Sequence, residues 1–303
     1  MSEPDVTSSG QQETSTPSTA PACPPLPAAW QPFTPRGVAA FSKAGLGRIL
    51  VLELFVALLG AASLCWLVDL TWFPVIKQAI RNLPASGEIA NGRLQWTNST
   101  PVLLASGSRL AIVVDLDETG ALGMASDFQI EFGRDKWHIR GLLGAISFPY
   151  PKTGTAPFNQ TELVPWWGAW SQAILAGLAV FTVTILLVTW AFIASLLTAP
   201  AKLITYLANL ELAWPGAWKL ASAALMPGAF LMTLAVLAYA WSFMDLVQLG
   251  FVAIFHLAAD LVYLFFGALC LPPKPETIIP KTNPFATEPQ EGKSKEDNPF
   301  SQA

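Results

Sequence analysis

Charge is scarce in this chain: Asp, Glu, Lys and Arg make up 13% of its 303 residues, while hydrophobic residues make up 52%. A soluble domain ordinarily carries about twice that charged fraction, so the balance excludes an ordinary water-soluble domain and makes a lipid bilayer the first expected partner. The 17 Lys and Arg are scattered against 21 Asp and Glu, for a net charge of -4. With no basic stripe to track phosphates, nucleic acid is not an expected partner. Cysteine is nearly absent. Cys23 lies in a Pro-rich stretch and Cys65 and Cys270 in apolar runs, so no disulfide framework is implied. The two histidines and the lack of any H-E-x-x-H leave no metal or other cofactor to expect. The first 40 residues have no apolar run of the kind a cleavable signal needs, so insertion is expected to rely on a later helix.

What the chain does have is four long apolar segments. Residues 1–45 read as a disordered N-terminal tail, rich in Ser, Thr and Pro. Transmembrane helices are expected over 49–76, 168–198, 217–243 and 248–271, each long enough to cross about 30 Å of hydrocarbon. Pro227-Gly228 should kink the third. Residues 200–213, with Leu203, Ile204, Leu207 and Leu210 on one helical face, read as an amphipathic helix lying along the interface. Residues 272–303 form a charged, Pro-rich tail, read as disordered.

Between the first two spans the texture changes. Residues 77–165 hold short alternating segments, EIANGRLQW, RLAIVVDLD, DFQIEF and KWHIRG, punctuated by Asn91-Gly92 and further glycines. This predicts a small β-rich domain inserted between membrane helices. The expected fold is therefore membrane α-helical, with four transmembrane helices and one inserted extracytoplasmic β-rich domain. Arg36, Lys43, Arg48, Lys202, Lys219, Lys274 and Lys281 flank the spans on one side, which the positive-inside rule assigns to the cytoplasm together with both termini.

Within RLAIVVDLDETGAL, Asp115-x-Asp117-x-Thr119 matches the way phosphatases of the haloacid dehalogenase superfamily present a nucleophilic aspartate. That chemistry also needs later paired carboxylates for Mg2+, a cation for the phosphate and a parallel α/β sheet. The β-rich segment has no such paired motif, and LDETG suits a hairpin or short loop. The turn reading is preferred, so no catalytic residue is expected.

The same residues carry a resemblance. Leu83-Pro84, Asn91-Gly92, Asp115 with Thr119-Gly120, Arg134-Asp135-Lys136 and the membrane stretch WKLASAALMPGAF occur in that order. The succession is similar to an uncharacterised family of bacterial multi-pass membrane proteins, a domain of unknown function sometimes labelled maltodextrin-utilisation proteins. The resemblance spans about 49–271 and implies topology and a bacterial cytoplasmic (inner) membrane, with no activity attached.

The best functional lead is FHLAADLVY. His256 and Asp260 stand four residues apart on one helix face near mid-bilayer, where an ionisable group costs about 2.5–3.5 kcal/mol and needs a partner. The pair reads as one hydrogen bond fixing helix packing, or as a proton or ion path, with Glu53 as a further polar partner. His138 alternates within a strand and is expected at the surface. In the C-terminal tail, Asn283-Pro284-Phe285 repeats as Asn298-Pro299-Phe300, a turn presenting a Phe to a partner, or chance in a biased segment. Asn98-Ser99-Thr100 and Asn159-Gln160-Thr161 match the glycosylation sequon, which matters only in a host that glycosylates such sites, and the resemblance to a bacterial family implies that they are not used. The functional expectation is a non-enzymatic polytopic protein whose extracytoplasmic domain binds a protein or envelope partner, with homo-oligomerisation allowed. The alternative is a subunit of a transporter or channel using His256 and Asp260.

Overall fold

The computed structural model describes residues 27, 29–97 and 100–274. Four helical rods are long and apolar enough to cross a membrane: Leu46–Arg81, Gln160–Leu207, Trp214–Ala240 and Leu246–Leu269. The first consists of α2 (Leu46–Leu67), a π-helical turn (Val68–Trp72) and α3 (Phe73–Arg81). Pro74 explains the π turn. It cannot donate to the preceding turn and its ring crowds the carbonyl four residues back, so the ladder widens just before it. The second rod is α4 (Gln160–Leu207), 48 residues and about 70 Å at 1.5 Å per residue. The third is α5 (Trp214–Ala224) and α6 (Met226–Ala240), interrupted at Leu225 beside the expected Pro227 kink. The fourth, α7 (Leu246–Leu269), opens with an Asp245/Gln248 capping box.

Three sequence-based expectations change. The expected tail 1–45 contains α1 (Pro35–Phe41), capped by Thr34, whose side chain accepts from the Gly37 N–H. Val38, Ala39 and Phe41 are fully buried, and Gly267 on α7 leaves room for Val38, so this short apolar turn belongs to the bundle. Residues 200–213 do not form a separate interfacial helix. α4 runs through Pro200 to Leu207, burying Ala194, Ala201 and Thr205 while Leu203 and Leu207 face outward. The buried stripe is small because α5 approaches it with Ala217, Leu220, Ala221 and Ala224, and small residues are what let helices come close in lipid. The first residues of the expected tail from 272 are held in place. Pro272 O accepts from Glu211 N–H, and Lys274 N–H donates to Asn209 O, tying the chain after α7 to the loop after α4.

The cap is β-rich. β1 (Glu88–Ala90) and β2 (Arg93–Gln95) form a tight hairpin through Asn91 and Gly92, both with positive φ, and β8 (Thr155–Pro157) pairs with β1. β3 (Val102–Ser106), β4 (Leu110–Val114), β5 (Phe128–Phe132), β6 (Lys136–Gly141) and β7 (Gly144–Pro149) form a five-stranded sheet in sequence order. β4 and β5 are parallel, so the D-x-D segment opens a crossover loop and not a hairpin. Leu94, Leu104, Leu110, Ile112, Val114, Tyr150 and Phe158 pack with Val75 and Ala79 of α3 and Leu83 just after it, so the first rod supplies part of the cap's core.

One arginine joins cap to bundle. Arg109, just before β4, is 6% exposed. Its Nη2 donates to the carbonyls of Tyr239 and Met244, both at 2.9 Å, and its Nη1 to Asp127 Oδ2 at 2.7 Å. Its guanidinium lies 3.8 Å from the centroid of the Tyr239 ring, and Tyr239 OH donates to the same Asp127 oxygen. The α6–α7 turn is thus at the cap end of the bundle. The α4–α5 loop, α1 and the chain after α7 meet at the other end, where Lys219 donates to Ala44 O and Tyr263 to Phe33 O.

Arg109→Ala is expected to lower the free energy of opening of the cap against the α6–α7 turn by about 3–5 kcal/mol, because Asp127 is left without its cation. Arg109→Lys should not restore it, since a single ammonium cannot span both carbonyls and the carboxylate. Hydrogen exchange of β4 and of residues 239–245 in detergent measures both.

Candidate functional site

The interruption at Leu225 follows from Pro227, which has no N–H to offer Ala223, and from the run of small residues before it. Leu225 N–H turns to Ser222 O at 3.3 Å, and the ladder resumes with Ala229 N–H on Leu225 O at 3.0 Å. No side chain caps the start of α6, so its first turn has N–H groups without helical acceptors. α7 comes up against that turn. A Cβ added at Gly228 would lie 2.7 Å from the His256 carbonyl oxygen and collide with Asp260 Oδ1, so only glycine admits α7 here.

Beside this contact is a cavity of about 290 Å³, lined by side chains from all four rods. α2 contributes Gly60 and Ser63, α4 contributes Thr182 and Thr189, α6 contributes Thr233, and α7 contributes His256 and Asp260. The hydroxyls of Ser63, Thr182 and Thr233 donate to backbone carbonyls three or four residues back, at 2.8–2.9 Å. What they still offer the cavity is lone pairs. Asp260 is 4% exposed, and neither its Oδ1 nor His256 Nδ1 finds a hydrogen-bond partner among the described residues. The direct His256–Asp260 hydrogen bond that their spacing allows is not formed.

Glu53 is also buried, at 3% exposure, but it does not line the cavity. Its carboxyl lies beside the Ser222 hydroxyl, but neither its Oε1 nor that hydroxyl has a partner of good hydrogen-bond geometry among the described residues; Glu53 is one turn outside the cavity wall at Val56 and Ser222 three residues before the break. The expected trio is therefore split into a pair on the cavity and a separate carboxyl on α2. Sequence reading named Gly228 only as part of a kink and missed Ser63, Thr182 and Thr233. Their signal was hydroxyls in otherwise apolar runs and a Pro-Gly inside a span. Among the described residues no three of His, Cys, Asp and Glu cluster as metal ligands would. The chemistry on offer is hydrogen bonding and proton exchange.

Asp115 is built into its loop. It is 2% exposed, and its Oδ2 accepts from Thr119 Oγ1 at 2.9 Å and Gly120 N–H at 3.0 Å. Burial pushes its pKa up, but these bonds and those from nearby backbone N–H groups outweigh it and hold the carboxyl below the usual range. Asp117 faces away, bonded to Arg134 at 2.9 Å. The two carboxyls do not share an open site. His138 is not at the surface. It is 5% exposed, paired with Ser147 Oγ at 2.8 Å, with Glu118 at 3.4 Å, because β6 is covered by the crossover loop. Burial acts against the charged form of Glu118, while Lys136 and His138 beside it bring its pKa below the ordinary value. The tail motifs at Asn283–Phe285 and Asn298–Phe300 lie outside the described residues, as does Asn98. Asn159 is the N-cap of α4.

No protein-family model, curated protein or solved structure matches this chain.

Gly228→Leu is expected to force α6 and α7 apart and to cost about 1–3 kcal/mol, the range for overpacking a tight contact. Gly250→Ala, where a Cβ meets open space, should leave thermal stability in detergent unchanged. Asp115, whose folded pKa is depressed, contributes stability that is fully present above the unfolded carboxyl value of about 3.9 and is lost as pH falls through the lower folded value. Acid titration followed by near-UV circular dichroism should show an acid limb that Asp115→Asn removes.

Proposed function

We propose that this is a multi-pass protein of a bacterial cytoplasmic membrane, in which four crossing helices carry an extracytoplasmic cap that works as a binding module. The observation that carries the reading is the Arg109 clamp. A cap bonded to two carbonyls of the α6–α7 turn and sharing its core with α3 is a platform of fixed orientation. The cap carries an open polar groove of about 860 Å³ between β1, β8 and the start of α4, bordered by Glu88, Gln95, Thr155 and Glu162. Polar walls of this kind suit a hydrophilic envelope component or a partner's polar segment. The family resemblance and the lysines and arginines at the opposite end of the bundle, Lys43, Arg48, Lys202 and Lys219 among them, support a cytoplasmic position for that end. The reading involves no catalysis: Asp115 is consumed by its turn.

The intramembrane cavity favours a second reading, a transporter or channel subunit. A discontinuous helix whose N-terminal turn meets a buried carboxyl, with hydroxyls around it, is how secondary transporters build midplane sites.

The two separate on experiment. A photo-crosslinker at Thr155, in native membranes, should yield discrete adducts that Ser86→Trp, filling the groove, suppresses. Equal adducts from Thr155 and from a position remote from the groove would remove the binding-module reading. Proton or cation flux in liposomes that disappears with Asp260→Asn or His256→Ala, in protein of unchanged stability, would put the transport reading first.

A further inference from the structure

One exposed turn of the cap is made of two leucines. Gly141 pairs with Gly144 across the β6–β7 hairpin, leaving Leu142 and Leu143 as its loop. Leu142 is 62% and Leu143 fully exposed, and Ile146 on β7 is 64% exposed. Two-residue hairpin loops in water take Asn-Gly, Asp-Gly or Gly-containing pairs. Here the glycines flank the loop, with Gly144 at φ +122, and the tip itself is apolar. All six residues of β7 are exposed.

This hairpin does not point away from the bundle. Between it and the third and fourth rods lies a crevice of about 480 Å³, whose helix wall is Met232, Leu249, Gly250 and Ala253. Ala253 stands seven residues into α7, about 10 Å along the rod from its start. The rod's entrance is marked by Trp241 and Phe243, 53% and 80% exposed, as interfacial aromatics are. Beyond the crevice the outward face of α7 continues with Phe251, Ile254 and Phe255, each more than half exposed. The crevice is therefore continuous with the surface that meets hydrocarbon, and its far wall is a hairpin lying alongside the helix.

We infer that the β6–β7 hairpin dips into the leaflet on the cap side and that the crevice behind it holds one acyl chain of a membrane phospholipid. The inference rests on the membrane reading above. The walls are apolar on both sides, the volume falls within the range of about 300–1,000 Å³ usual for ligand sites, and the opening faces lipid. The site recognises a chain, whatever headgroup it carries.

The test uses the full chain in bilayer discs of a phosphatidylcholine with a diazirine in one acyl chain, photolysed and mapped by peptide mass spectrometry. Adducts at Ile254 and Phe255 report immersion of the rods. Adducts at Leu143 and Ile146 report the hairpin, and loss of the Ile146 adducts in Gly250→Phe reports the crevice, since the new ring projects into open space there. Ala253→Leu is a second filling variant, and unchanged exchange protection of residues 239–245 shows that each variant is folded. Labelling of Ile254 and Phe255 with none at Leu143 or Ile146 overturns the inference and leaves the membrane reading standing. No labelling at any of the four overturns both. Ile146 adducts that persist in both filled variants, or chain-to-chain crosslinks from benzoylphenylalanine introduced at Leu143, also overturn it, the last by assigning the crevice to a second copy.

Discussion

The close approach of small side chains at the centre of the bundle is the constraint on which the rest depends. Ala217, Ala221 and Ala224 on α5 meet Ala194 and Ala201 on α4, while Ala57 and Ala61 of α2 are buried in the same bundle. With hydrocarbon around the rods, as proposed, burying a leucine gains nothing over leaving it in lipid, so packing and backbone proximity supply the attraction. Large apolar residues are accordingly turned outward: Val180, Phe181, Phe192 and Leu203 on α4, and Ile254 and Phe255 on α7, are more than half exposed. A helix as tightly packed as α5 also tolerates a break, because its neighbours hold both halves.

The break concentrates polarity. Among the described residues, Ser222, Glu53, His256 and Asp260 each carry a buried polar atom without a partner of good hydrogen-bond geometry, the Ser222 hydroxyl lying beside Glu53 and the Gly228 backbone beside Asp260, and all four lie on or near the contact of Leu225 and Gly228 with α2 and α7. A lone pair or proton left unpaired in an apolar interior costs more than a hydrogen bond returns. Four such groups in one small region mark a place where stability has been yielded to something else. The cap also holds such atoms, Trp96 Nε1, Arg109 Nε and Asp115 Oδ1 among them, but its buried carboxylates are each held by at least one donor. Asp115 Oδ2, Asp127 and Glu131 are bonded to hydroxyl, backbone or arginine donors.

The sequence made the four apolar rods, the Asn91-Gly92 hairpin and the His256–Asp260 face legible, because each rests on a local pattern: length, turn chemistry or a spacing of four. It hid whatever depended on which way a face turns. Leu203 and Leu207 read as the apolar face of a separate interfacial helix, yet they face outward from the continuous α4, whose buried stripe is Ala201 and Thr205. α1 was hidden by its length, seven residues being too few for periodicity to register. His138 was misassigned because the crossover loop that covers it arrives from a different part of the chain. The parallel β4–β5 pairing was hidden for the same reason: LDETG forms its expected local turn, but the chain then runs on to Asp127 before pairing.

α6 gathers these threads. At one end the Tyr239 carbonyl and ring are held by Arg109, and the Tyr239 hydroxyl by Asp127. At the other, Gly228 rests on Asp260 and on the backbone of His256. From Gly228 to Tyr239, with ten residues between them, is about 16 Å of unbroken helix, which is stiff over that length, and the ladder is already open at Leu225. A displacement of the cap would therefore pass along α6 as a rigid movement and be absorbed at the break. Those are the coordinates on which the cavity, the Gly228 contact and the orientation of Asp260 depend. Arg109 and Asp260 are far apart in sequence, and one short helix makes them mechanically adjacent.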